Sequence, residues 1–353
     1  MEYNFDIELT KKQLFKDINK LIFEIKRCKS KTMYIVLANQ LESLYYICDT
    51  LSIYDYPDID LYSMKNYMPN NNRLIRHINK YMINHYDYYL VFSNNVNGIN
   101  INQYEENESL YVVNENISLK DNLTLLFDFF NKYNNEMYEL LKKIINKNKL
   151  IINNSGNIKN IASANNGIEI QAFTIKSDKI DLPYIYVTDE EFIYLSIFLA
   201  HEIGHCYEGE ITRYNYKKPE IVNHFGEVFS HFIGFVYMDY LTKNKICLED
   251  VSNVKNGLGF ELTTELKSLN YQLSNLKMRP YDELISNLEY SFGITLALHF
   301  FDKYLIDPEQ TNYEIRKFME LSNYYSSIEL LEKLDLKDEI IDSKVLKKYL
   351  ITI

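Results

Sequence analysis

Residues 198–205 read Phe198-Leu-Ala-His-Glu-Ile-Gly-His205. They close an apolar run, Phe192 to Ala200, interrupted only by Ser196, whose spacing predicts a helix ending near Cys206. On a helix, positions i and i+4 lie one turn apart on the same face, so His201 and His205 can grip one metal ion together. Glu202 is adjacent in sequence and can reach a water on that ion. Imidazole ligands suit zinc, which in catalytic sites takes three protein ligands and leaves the fourth position to water. Zinc brings that water's pKa to about 7, and a nearby carboxylate then removes its proton. The expectation is one Zn(2+) per chain, held in part by His201 and His205, with Glu202 as general base.

A third ligand must come from elsewhere. A metzincin would continue with Gly and His at fixed offsets, but positions 208 and 211 are Glu and Ile. Glu220, His224, Glu227 and His231 follow, on a predicted helix opened by Pro219 and running to about Leu241. Gly209 is the predicted stop of the first helix. An antiparallel return then sets Glu227 level with the histidine pair, roughly 12 Å past the reversal at 1.5 Å per residue. Glu220 would fall a turn or two too early. His224 and His231 stand three before and four after Glu227, hence on its face. They are read as partners of the ligands or as lining for substrate, with His231 the substrate-binding candidate.

Outward from this centre most of the chain reads as helix. Thr10 and Gln13 form a capping box, followed by Leu14, Ile18, Leu21, Ile22 and Ile25 at helical spacing. Residues 31–52 and about 120–148 repeat the pattern, with breaks at Asn94-Asn95 and Asn153-Asn154. Gly167 to Ile175 alternates at first, as a strand does, and Leu182 to Val187 is a second strand, which Pro183 makes short or sets at an edge. Thr188 and Glu191 form a capping box before the zinc helix. Two lobes are expected, 1–160 helical and 161–353 zinc-binding, in one continuous structural unit.

Composition excludes several function classes. The net charge is −11, with no concentration of Lys and Arg, so no nucleic-acid partner is expected. The nine-residue apolar run is too short to span a bilayer. The first residues carry early acidic groups and no apolar core, so they are not read as a signal peptide. Cys28, Cys48, Cys206 and Cys247 are widely spaced, without a CxxC pair, which favours free thiols and a cytoplasmic setting. Oligomeric state is not legible.

Three stretches resemble the family of oligoendopeptidase F and thimet oligopeptidase. Phe198 to His205 is similar to the family's LAHELGH helix. Gly226-Glu-Val-Phe-Ser-His-Phe232, with Tyr237 to Leu241, is similar to the stretch that supplies the third zinc ligand. Glu289-Tyr-Ser-Phe-Gly-Ile-Thr-Leu-Ala297 is similar to a helix whose tyrosine faces the zinc. More weakly, Gln171 to Thr174 and Pro183 to Val187 match the hairpin before the zinc helix. The likeness covers about residues 168–305, and family members are usually longer.

The resemblance implies a mainly α gluzincin, a helical bowl around a cleft, with a small β-hairpin whose edge strand precedes the zinc helix. It implies a metalloendopeptidase of the oligopeptidase type acting on short unstructured peptides. Glu227 becomes the third ligand, and Tyr290 an oxyanion donor, with Arg279 or Tyr281 as a second. Substrate would lie along Tyr184, Ile185 and Tyr186. Gly293 fits close helix packing beside the site. One rival reading is a dedicated processing peptidase or exopeptidase for a specific peptide. Another is a non-catalytic peptide-binding module, against which the presence of Glu202 counts.

Overall fold

A computed structural model describes residues 5–29, 31–61, 77, 80–97, 117–154, 172–177, 179–189, 193–212, 223–274, 281–341 and 344–350. In chain order the elements are α1 (Ile7–Arg27), α2 (Lys31–Thr50), α3 (Tyr86–Asn97), α4 (Leu119–Tyr133), α5 (Asn135–Asn146), β1 (Leu150–Asn154), β2 (Ala172–Ile175) and β3 (Tyr184–Asp189). There follow α6 (Ile193–Thr212), α7 (Val228–Lys243), α8 (Leu248–Ser274), α9 (Tyr281–Tyr304), α10 (Pro308–Ser322), α11 (Ser327–Lys333), α12 (Lys337–Ile341) and α13 (Lys344–Leu350). The mainly helical class with a small sheet is as expected.

The chain forms two compact units, each built from two pieces: Met1–Arg73 with Ile117–Gly209, and Leu74–Asn116 with Glu210–Ile353. β1 pairs with β3, which ties residues on both sides of 160 into one sheet.

In the first unit, α1 begins at Asp6, whose carboxylate accepts the backbone N–H groups of Glu8 and Leu9 at 2.9 and 3.0 Å. Thr10, read as the cap, sits inside the helix and donates to the Asp6 carbonyl at 2.9 Å. A carboxylate at the N-cap satisfies two donors that the helix leaves open and suits its positive end. The stripe Leu14, Ile18, Leu21, Ile22 and Ile25 is buried with Leu37, Leu41 and Leu44 of α2 and Ile151, Ile175, Tyr184 and Tyr186 of the sheet. Fully burying one such aliphatic side chain contributes about 1.5–3 kcal/mol. The predicted helix over 120–148 is two helices, because Asn134 accepts the N–H groups of Glu136 and Met137 and starts a new one. Asn153-Asn154 closes β1 and Asn94-Asn95 lies within α3, so neither pair is a break between helices.

The sheet has the order β1-β3-β2, with β1 parallel and β2 antiparallel to β3. β3 is thus the central strand. Pro183 stands one residue before it, where its missing N–H costs no ladder bond. A buried polar knot ties the sheet to α1. Lys149 Nζ donates to Asp17 Oδ2 and to the Leu182 carbonyl, both at 2.8 Å, and the Tyr184 hydroxyl donates to the same Asp17 oxygen at 2.8 Å. The ammonium also lies 4.4 Å from the Tyr184 ring centroid. Cys28 is half-buried, and Cys48, Cys206 and Cys247 are buried.

In the second unit, Phe292 of α9 is the hub of an aromatic cage. Its ring stacks on Phe92 with centroids 4.2 Å apart and meets Tyr89 and Phe225 edge-on at 5.8 and 6.0 Å. Phe225 in turn packs on Phe318 of α10. This cage fixes the height and rotation of α9, the helix that carries Tyr290 and Gly293. No helix among the described residues is long and apolar enough to cross a membrane.

Candidate active site

α6 carries the histidine pair of the first unit. Of its expected capping box, Thr188 belongs to β3 and Glu191 lies outside the described residues. The helix does not stop at Gly209 but continues to Thr212. Gly209 instead admits a neighbour, since a Cβ there would come within 2.9 Å of Lys176 Cδ. His201 and His205 lie on successive turns, as their spacing requires. Their ring centroids are 4.8 Å apart and their planes 84° from parallel. Both are half-buried, whereas Glu202 is only 5 % exposed. Its Oε2 accepts a hydrogen bond of 2.6 Å from the hydroxyl of Thr174 on β2. That hydroxyl oxygen also lies 3.2 Å from the Glu202 carbonyl and 3.9 Å from Cys206 Sγ.

The second unit carries Glu227, His231 and Tyr290. The predicted helix from Pro219 to Leu241 is not continuous. Asn223 to Phe225 are not helical, Gly226 and Glu227 form a turn, and α7 begins at Val228. The cause is side-chain competition for the backbone. Asn223 Oδ1 accepts the Phe225 N–H at 2.8 Å, and Ser327 Oγ accepts the His224 N–H at 2.8 Å, which satisfies these groups outside a helix. Glu227 is therefore the N-cap of α7 and not a residue two turns inside it. The count that levelled it with the histidines loses its basis. Glu220 and Arg279 lie outside the described residues, and Tyr281 is the first residue of α9.

Glu227 is half-buried, and its carboxylate accepts a bond of 3.2 Å from Ser230 Oγ. His231 Nε2 stands 3.9 Å from Glu227 Oε2. The Tyr290 ring meets the His231 ring at 6.1 Å, tilted 66°. Gly293, one turn further along α9, has Glu227 directly against it. An added Cβ would sit 2.5 Å from Glu227 Cβ and 3.3 Å from its Cα. The close packing expected at Gly293 is thus found, and its neighbour is Glu227.

His224 does not share a helix face with Glu227, because it lies before the helix. It is 1 % exposed, and neither ring nitrogen has a hydrogen-bond partner among the described residues. Its ring meets Tyr89 edge-on at 6.0 Å. Burial pushes its pKa down from 6.5 to about 4. In the unfolded chain the imidazole protonates near 6.5. Stability is therefore fully present above that pH. It falls as pH drops towards 4, by about 3 kcal/mol in all, and this source adds nothing below. Denaturant midpoints measured from pH 7 to 4 should decline less steeply in His224→Phe than in the wild type. Parallel curves would contradict this.

The expected substrate strand needs correction. Tyr184, Ile185 and Tyr186 are completely buried, the Tyr184 hydroxyl is held by Asp17, and β3 is paired on both sides. No peptide can add to it. Among the described residues β2 is paired on one side only. His299, read as a core or surface histidine, has its Nε2 2.5 Å from Glu339 Oε2.

No family model matches the chain, and no curated protein does. Solved structures do. One, provisionally assigned as an oligoendopeptidase F, superposes over 98 % of this chain and 75 % of its own, with a TM-score of 0.51 and 11 % identity. The chain has the oligoendopeptidase F fold. A second structure of the same provisional assignment, from Bacillus anthracis str. Ames, gives a TM-score of 0.48 at 13 % identity over 98 % of this chain and 74 % of its own. This chain spans about three quarters of the length of each of these two structures.

The donor set fits a zinc ion by its chemistry. His201 and His205, one helical turn apart in the first unit, and the half-buried carboxylate of Glu227 in the second are each donors of a kind zinc takes. Thr174 is the residue that sequence reading missed. Its signal was present, since alternation through Phe173 and Ile175 sets Thr174 on the opposite face of β2.

Proposed function

We propose that this chain is a zinc metalloendopeptidase acting on short, unstructured peptides, with His201, His205 and Glu227 as ligands and Glu202 as general base. The observation that carries the reading is the geometry of α6. Its two histidines meet edge-on one turn apart, and the intervening carboxylate is buried yet held by a hydroxyl, on a chain of oligoendopeptidase F fold. Zinc, when bound, supplies a Lewis acid for the scissile carbonyl and lowers the pKa of the attacking water. Glu202 takes the proton from that water and returns it to the leaving amine. Peptide adds as a strand to the side of β2, residues 172–175, that is unpaired among the described residues, where backbone bonds fix its direction. His231 lines the bound peptide, and Tyr290 donates to the oxyanion, with Tyr281 or Arg279 as a second donor.

The test is incubation of zinc-loaded protein with a mixed peptide library, with the cut sites read by mass spectrometry before and after chelation. Internal cuts that vanish with chelator and return with zinc are expected. Cuts confined to one terminus would make it an exopeptidase, and no cuts at all would favour a binding module. Tyr290→Phe tests the oxyanion role. Loss of one such donor costs about a hundred- to a thousandfold in kcat. Melting temperature, zinc content and KM should barely move, because the ring is kept and ground-state binding does not use the hydroxyl. Near-normal turnover in this variant, with collapse in Tyr281→Phe, would transfer the role to Tyr281.

A further inference from the structure

We propose that Thr174 is a positioning residue for Glu202, holding one carboxylate oxygen so that the other is presented to the attacking water. This rests on the reading of Glu202 as general base. Thr174 Oγ1 donates to Glu202 Oε2 at 2.6 Å, a distance typical of a hydroxyl bonded to an ionised carboxylate. The same hydroxyl lies farther, at 3.2 Å, from the Glu202 carbonyl, and it has one proton to give. Cys206, one turn beyond Glu202 on α6, places its sulfur 3.9 Å from Thr174 Oγ1, where the thiol can donate to the hydroxyl oxygen and turn its proton towards the carboxylate.

The strand fixes the hydroxyl more firmly than a loop would. Within β2, side chains alternate between faces. Phe173 stacks on Tyr186 at 5.0 Å, and Ile175 is buried in the core formed with α1 and α2. Thr174 pairs with Ile185 of the central strand. Its side chain is thereby committed to the face that meets α6, and as a β-branched residue it has few rotamers to choose from. A glutamate has three side-chain torsions. Tethering one oxygen removes most of that freedom at the atom that must receive the proton. If β2 is also the strand that takes up the peptide, Thr174 couples the seating of substrate to the aim of the base.

The experiment uses full-length protein and compares Thr174→Val, which keeps shape and β-branching, with Thr174→Ser, which keeps the hydroxyl. Thr174→Val should lower kcat about ten- to a hundredfold, the scale of a misplaced catalytic group, with KM and zinc content unchanged. Thr174→Ser should recover most of the loss. In a Glu202→Gln background, Thr174→Val should cost nothing further, because the hydroxyl acts only through the carboxylate. A readout free of activity and metal is the melting temperature of the zinc-free protein, where Thr174→Val and Glu202→Leu should be non-additive. Wild-type kcat in Thr174→Val overturns the proposal, as does a Thr174→Ser variant no better than Thr174→Val. If instead Glu202→Gln itself keeps full turnover, the general-base reading fails, and that outcome is distinct from failure at Thr174.

Discussion

Glu202→Gln is expected to fold, to keep its zinc and to lose peptide hydrolysis by about a hundred- to ten-thousandfold, the range that general-base catalysis contributes. The amide is close to the same size, so packing around this nearly buried side chain is preserved, and Thr174 can still donate to the amide oxygen. What is lost is the capacity to accept a proton. Zinc content should not change, because Glu202 is not among the proposed ligands. The measurements are kcat and metal stoichiometry on the same preparation. Turnover within tenfold of wild type would remove Glu202 from the mechanism. Loss of zinc together with activity would make it a ligand instead.

The second large effect is expected at a residue that has no side chain. Gly293→Ala adds one methyl group, which would stand 2.5 Å from Glu227 Cβ and 3.2 Å from its carbonyl carbon. These are main-chain and near-main-chain atoms, so no flexible side-chain tip can swing away. Nor can α9 retreat freely, because the preceding residue, Phe292, is locked among Phe92, Tyr89 and Phe225. Glu227 must move, and with it the carboxylate proposed as third ligand. Zinc affinity should fall about ten- to a hundredfold, as it does when the support behind a ligand is removed. Glu227→Ala sets the upper limit of the effect. Metal titration of the two variants checks this. Wild-type zinc affinity in Gly293→Ala would place the third ligand elsewhere than Glu227.

What the sequence made legible was chemistry confined to one element. His201, Glu202 and His205 share a helix, and helical periodicity alone fixes their relation. The apolar stripe of α1 was legible for the same reason. What was not legible depended on partners distant in sequence. β1 and β3 are about 35 residues apart in the chain, and no local pattern marks Tyr184 as central and paired on both sides. The edge assignment from Pro183 failed because a proline just ahead of a central strand looks the same in sequence as one on an edge. The start of α7 was misplaced because Asn223 and Ser327 intervene, and Ser327 is remote in sequence. Thr174 could be placed on a face of a strand, but only the fold sets that face against Glu202.

The first unit is assembled from Met1–Arg73 and Ile117–Gly209, and this has a consequence during synthesis. α1 and α2 emerge from the ribosome early with their apolar stripes finished, yet the strands that cover them come much later. The sheet needs Tyr184 to Asp189, more than 130 residues after Thr50 closes α2. At about 5–20 residues per second, the helical pair waits roughly 7–27 s before the Asp17 carboxylate can be joined by both Lys149 and Tyr184. Through that interval the nascent chain displays an uncovered apolar surface, a target for chaperones. Release of the polypeptide before residue 189 would yield a fragment prone to aggregate, since its hydrophobic helices would have no sheet to close on.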